Sequence, residues 1–192
     1  MPRGREEKTP KKMKQAFLVF CEGATEKSYV QELRRRYRSP IRIVTICEGQ
    51  SITNALISRE VKKEKVSPTD HIETFLMYDR DVPEVNARIE ACDGIKICSN
   101  PCIELWFLLH SAEQRSSLDT DECIRSLKNS AKEWNSYKKG ELSAPQSNLL
   151  WNNRSCAIQR AKSLVEGSNP STGVYKLLES IQQSLLRAQN PL

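Results

Sequence analysis

Short apolar runs alternate with amphipathic stretches through the first hundred residues of this chain. Ala16-Phe17-Leu18-Val19-Phe20-Cys21 is continuous and brief, the pattern of a strand covered on both faces. After a turn at Gly23, Tyr29, Val30 and Leu33 recur at helical spacing among Lys27, Arg34, Arg35, Arg36 and Arg38. That spacing predicts an amphipathic helix from Thr25 to Arg38, which Pro40 ends. The β-branched segment Ile41 to Cys47 reads as a second strand, and Ser51 as the cap of a helix carrying Ile52, Ala55, Leu56 and Ile57. This helix fades into Val61 to Lys65 before Pro68. Ile72 to Tyr78 is a third strand, Pro83 opens a helix through Ala91, and Ile95 to Cys98 is a short fourth strand.

Four strands, each followed by a helix, predict an α/β fold: a mostly parallel four-stranded sheet flanked by helices, with additional C-terminal helices. Beyond Ser99-Asn100-Pro101 the pattern changes. Cys102 to His110 is too apolar for a surface helix, so Ile103, Leu105, Trp106, Leu108 and Leu109 are expected to pack on the sheet or against another copy of the chain. From Leu118 onward only helices are predicted, over roughly 119–135, 154–166 and 172–187, with a polar loop through 152. Asn169-Pro170-Ser171-Thr172 reads as a helix start, with proline in the first turn and a hydroxyl cap.

Two apolar runs end in acid. The first passes into Glu22-Gly23-Ala24-Thr25-Glu26 and the third into Asp79-Arg80-Asp81. If those strands are neighbours, Glu22, Asp79 and Asp81 meet at the carboxyl edge of one sheet, where open α/β folds bind their ligands. Residues two apart on a strand point to the same side, so Asp79 and Asp81 share a space while Arg80 faces away and pairs with a carboxylate. An acidic group directly after a buried run is costly unless something neutralises it. Mg²⁺ (or Mn²⁺) suits such a site, taking oxygen ligands from one or two carboxylates plus a phosphate of the substrate. Asp79 and Asp81 are then the metal ligands, with Glu22 binding metal or moving a proton. The plainer alternative is a turn stabilised by Asx hydrogen bonds or a helix cap.

Composition narrows the partners. Thirty basic residues against twenty-four acidic give a net charge of +6. Arg3, Arg5, Lys8, Lys11, Lys12 and Lys14 crowd residues 1–14, read as a flexible basic tail ahead of a single domain over 15–192. Lys11, Lys12, Lys14, Arg34, Arg35 and Arg36 are the candidate nucleic-acid contacts, since basic side chains gain affinity by releasing counterions from phosphates. Seven cysteines, an odd number without an export signal, favour free thiols and a cytoplasmic protein. Cys92, Cys98, Cys102 and His110 lack zinc-ligand spacing, and two histidines leave little for imidazole catalysis. No apolar run approaches the roughly 20 residues of a membrane span. Trp106, Trp134 and Trp151 are read as core or interface anchors. His110 is read as a packed or carbonyl-capping residue.

At the acidic clusters the sequence resembles the Toprim domain of topoisomerases, bacterial primases and OLD-type nucleases, through Phe-Cys-Glu-Gly-x-Thr-Glu followed by Tyr-Asp-Arg-Asp. Ser99-Asn100-Pro101-Cys102-Ile103-Glu104-Leu105-Trp106 and Asn169-Pro170-Ser171-Thr172-Gly173-Val174-Tyr175 are similar to segments of RloB-like proteins, a Toprim family of restriction and phage-defence loci. The resemblance implies an acid or base role for Glu22, metal ligation by Asp79 and Asp81, and a second-metal or catalytic role for Glu104. Topoisomerase activity would need a separate tyrosine-bearing domain and primase activity a zinc module and more chain, and neither is expected to fit in 192 residues. The expectation is a metal-dependent nuclease acting on DNA or RNA in phage defence, with an ATPase encoded alongside as a possible partner. The alternative is a non-catalytic subunit that binds metal, nucleotide or nucleic acid.

Overall fold

The computed structural model describes residues 15–39, 41–45, 51–64 and 71–189. The tail lysines Lys11, Lys12 and Lys14 lie outside this range, as do Pro40, Ile46 to Gln50 and Lys65 to Asp70.

Four parallel strands form the central sheet: β1 (Gln15–Cys21), β2 (Ile41–Thr45), β3 (His71–Met77) and β4 (Ile95–Lys96), in the order β2-β1-β3-β4. Between them run α1 (Ala24–Tyr37), α2 (Asn54–Glu64) and α3 (Pro83–Glu90). Alternation along β1 splits its side chains between two apolar clusters. Phe17, Val19 and Cys21 pack with Tyr29, Val30 and Leu33 of α1, whereas Leu18 and Phe20 pack with Ile52, Ile57 and Ile89 beneath α2 and α3. Both faces of the sheet are therefore covered, which is why the run reads as continuously apolar.

The chain then adds β5 (Ser99–Asn100), α4 (Glu104–Leu108), α5 (Thr120–Ser130), α6 (Ala144–Lys162), β6 (Ser171–Thr172) and α7 (Tyr175–Gln189). Residues 101–110 are buried within the chain, and Trp106, Phe107 and Leu109 are fully enclosed in the α1-side core. Phe107 stacks on Trp134 at 5.7 Å, and Trp106 meets Tyr29 edge-on at 6.4 Å, a compact aromatic wall under the sheet's carboxyl edge.

Four expectations are corrected. Thr53 rather than Ser51 caps α2, its hydroxyl accepting the Leu56 N–H. The expected helix at 119–135 breaks at Ala131, whose extended backbone leads into a short 3-10 turn over Lys132–Trp134. The polar stretch before 152 is helix: Ser143 and Gln146 form a capping box, with Pro145 in the first turn. Its polar residues are bound rather than idle, Asn153 donating to the His110 carbonyl and Asn148 accepting from Arg36. Finally, Ser171-Thr172 is a strand and not a helix start, pairing antiparallel with Ser99-Asn100. The Gly173 N–H donates to Cys98 O at 2.8 Å, and a Cβ at Gly173 would stand 3.1 Å from the Ile97 backbone, so a side chain there would have to push the two segments slightly apart.

Candidate metal and phosphate site

The register of β1 on β3 builds the site. Cys21 is opposite Met77, so both chains leave the sheet together, and the Glu22 N–H still donates to Met77 O at 3.2 Å. Glu22, exposed at the rim, swings its carboxylate back to accept the Asp79 N–H at 2.9 Å. The strand continues irregularly: Asp79 bridges Ser99, and Arg80 N–H donates to Ser99 O at 2.8 Å. Arg80 turns away and pairs with Glu90, as alternation predicts. The Asp79 side chain accepts the Ile103 N–H at 2.8 Å, tying the acidic loop to the start of α4.

Glu104, fully enclosed, is the floor of the site. Tyr137 donates its hydroxyl to Glu104 Oε1 at 2.8 Å, and Lys139 Nζ stands 3.9 Å from the same oxygen. Glu104 Oε2 is buried without a hydrogen-bond partner among the described residues. Glu26, also buried, accepts the Gly23 N–H at 3.0 Å and closes the first turn of α1.

These carboxylates feel one another. Burial, then the charges of Glu26, Glu104, Glu22 and Asp81, push the Asp79 carboxyl up from 3.8 to about 9. Glu26 is raised by burial first and then by Glu104 and Glu22. Glu22, an exposed residue whose carboxylate folds back against the loop, is raised by the partial desolvation of that carboxylate, opposed by the Asp79 N–H and supplemented by Asp81. Asp81 is exposed at the mouth.

The sheet thus gathers Glu22, Asp79 and Asp81 at one edge and brings Glu104 to them. Glu26 and Lys139 carried no assigned role in the sequence reading. The i, i+4 spacing of Glu22 and Glu26 across a helix start was the available signal for the first; Lys139 sits in an aperiodic loop that offered none. Among the described residues, no group of three or more His, Cys, Asp or Glu side chains stands ready to enclose an ion as placed. The donor set still fits a hard divalent cation: all the donors are oxygens, the charges are mutually repulsive, and Glu104 Oε2 is an unsatisfied buried acceptor.

The other candidates lie elsewhere. Arg34, Arg35 and Arg36 occupy the last turn of α1, and Arg35 is nine residues, about 13 Å along the axis, from Glu26. Glu32 binds Arg35 and Arg36 at 2.7 and 2.6 Å, and Arg34 is exposed. His110 is buried against Trp106, its Nδ1 2.8 Å from the Trp106 carbonyl, and burial lowers its pKa to about 3. A neutral ring held this way packs rather than shuttles protons. Trp151 pins α6 to α1, with Tyr37 edge-on at 5.0 Å and the Arg154 guanidinium 4.1 Å above its ring. Cys92 and Cys98 belong to the α3-side cluster and Cys102 to the other, so the sheet separates them.

A four-stranded parallel sheet with acidic residues at the carboxyl ends of β1 and β3, and helices on both faces, is a Toprim-like α/β domain. A family model described as RloB-like protein matches residues 17–181, and the chain belongs to that family. No curated protein and no solved structure matches the chain. Among the described residues, no helix is long and apolar enough to cross a membrane.

Proposed function

We propose that this chain hydrolyses phosphodiester bonds of DNA or RNA with the help of Mg²⁺ or Mn²⁺. The observation that carries this reading is the side chain of Glu22 locked onto the Asp79 backbone across β1 and β3, beside a carboxyl pushed up to about 9 by burial and its acidic neighbours. Such a cluster is poorly matched to water alone and well matched to a doubly charged cation. Asp79, Asp81 and Glu104 would hold the ion, which when bound supplies Lewis acidity toward a phosphoryl oxygen.

The chain's own residues do the rest. Glu22, at the exposed rim, accepts a proton from the attacking water as its oxygen bonds to phosphorus. The bond from phosphorus to the leaving oxygen breaks, and that oxygen takes a proton from solvent. The products are a phosphate monoester and a free hydroxyl end. Asp79, bonded to the Ile103 N–H, keeps its orientation throughout, and Glu104 is fixed by Tyr137. The setting we propose is phage defence, together with an ATPase encoded alongside, as the resemblance to RloB-like loci implies.

The test is incubation of the purified chain with single-stranded DNA, duplex DNA and RNA in Mg²⁺ or Mn²⁺, beside Glu22→Gln and Asp79→Ala. Cleavage by the parent that both substitutions remove supports hydrolysis. Tight binding that survives both, without cleavage, favours a non-catalytic subunit instead.

A further inference from the structure

We propose that Lys139 grips the scissile phosphate, its ammonium contacting a non-bridging oxygen of the substrate; this rests on the hydrolytic reading above. The loop that carries it is pinned on both sides. Tyr137 is buried against Trp134 at 5.6 Å and Phe107 at 6.3 Å, with its hydroxyl on Glu104. Gly140 donates its N–H to the Thr25 hydroxyl at 2.9 Å, and its carbonyl accepts the Ser28 hydroxyl at 2.6 Å. Gly140 also has φ +90°, and a Cβ there would stand 3.3 Å from Ala24 Cβ, so both backbone hand and close approach call for glycine. Lys139 is therefore held beside the first turn of α1, next to Glu22 and Glu26.

Its own contact is loose. The 3.9 Å to Glu104 Oε1 is an ion-pair distance and too long for a hydrogen bond, and the side chain is 52% exposed. The three N–H donors are thus available to a ligand entering from the mouth. Tyr137, not Lys139, makes the close contact that satisfies Glu104. Around this cation stand Glu22, Glu26, Asp79 and Glu104, with Asp81 beside Glu22 and Asp79, a field that repels a phosphodiester. A positive group on a fixed loop at the rim offsets that repulsion where the substrate arrives.

The experiment compares the parent chain with Lys139→Gln and Lys139→Arg in three measurements: cleavage of a labelled single-stranded oligonucleotide in Mn²⁺, equilibrium binding of that oligonucleotide in EDTA across a salt series, and Mn²⁺ binding alone by calorimetry. Lys139→Gln is expected to lower kcat/KM by about 100-fold and to reduce the slope of log affinity against log salt by about 0.7. Mn²⁺ binding should stay the same or tighten, because a repelling charge has gone. Lys139→Arg should keep the salt slope and recover part of the rate, which carries the test if the glutamine variant does not fold. Unchanged cleavage and slope in Lys139→Gln would overturn the assignment while leaving the hydrolytic reading intact. So would a loss of cleavage that tracks weakened Mn²⁺ binding, since Lys139 would then be serving Glu104 alone. A parent chain that binds Mn²⁺ yet neither binds nor cuts the oligonucleotide removes the hydrolytic reading and this inference together.

Discussion

Replacing Asp79 by asparagine should stabilise the metal-free protein while removing its metal response. Asparagine is nearly isosteric, and its carbonyl oxygen can still accept the Ile103 N–H now bonded to Asp79 at 2.8 Å. What disappears is a partly buried acid surrounded by Glu22, Glu26, Asp81 and Glu104. Its pKa is 3.8 ordinarily and about 9 in the fold, so the folded state holds this proton more tightly than the unfolded chain. The stability this proton contributes is complete below pH 3.8 and declines as pH rises, until the loss saturates above about 9. At pH 7 the distance travelled is about three pH units, at about 1.4 kcal/mol each, an upper bound of roughly 4 kcal/mol. Asp79 is only partly buried and its neighbours share the strain, so a gain of about 1–3 kcal/mol is expected, or roughly 2–10 °C in Tm for a chain of this size. Thermal unfolding in EDTA at several pH values, parent against Asp79→Asn, measures it. The gain should be small near pH 4 and grow toward pH 9. In Mn²⁺ the order should reverse, since only the parent is stabilised by the ion. A variant less stable than the parent in EDTA at pH 8, or a gain independent of pH, would refute the electrostatic account of the cluster.

Tyr137→Phe should cost about 1.5–3 kcal/mol in urea denaturation, because it strips the hydroxyl from an enclosed carboxylate at 2.8 Å. Trp134→Ala should cost about 3–5 kcal/mol by opening a cavity beside Phe107, with equilibrium unfolding as the readout. His110 titrates ordinarily near 6.5 but at about 3 in the fold, so its stabilising neutrality holds above pH 6.5 and is lost as pH falls toward 3. His110→Gln should therefore flatten the acid limb of the stability profile, and an unchanged limb would contradict the buried neutral ring.

The sheet was legible because its pattern is local. A six-residue apolar run bounded by Glu22 and Gly23 has few other uses, and the order of strands and helices excludes most topologies. The convergence of Glu22 with Asp79 required β1 and β3 to be neighbours, which the sequence left open and the strand order β2-β1-β3-β4 supplies. Glu104 and its place in the site came from resemblance and then from the fold, not from any periodicity. The stretch before 152 was misread because polar residues that cap, or bond a distant carbonyl, look like loop residues until their partners are known. The strand at Ser171-Thr172 gave no sign for a similar reason: two residues carry no alternation, and only Ser99-Asn100, seventy residues earlier in the chain, makes them a ladder.

By itself, then, the sequence determined the α/β class, the doubly covered sheet and the acidic ends of two strands, because periodicity and strand ends are properties of neighbours in the chain. Tertiary structure alone decided that Glu26 joins that edge, that Glu104 lies beneath it with one oxygen unsatisfied, and that a loop pinned by Tyr137 and Gly140 sets Lys139 at its rim. Those are distances between residues far apart in sequence, fixed by how helices settle on the sheet, and no local pattern encodes them.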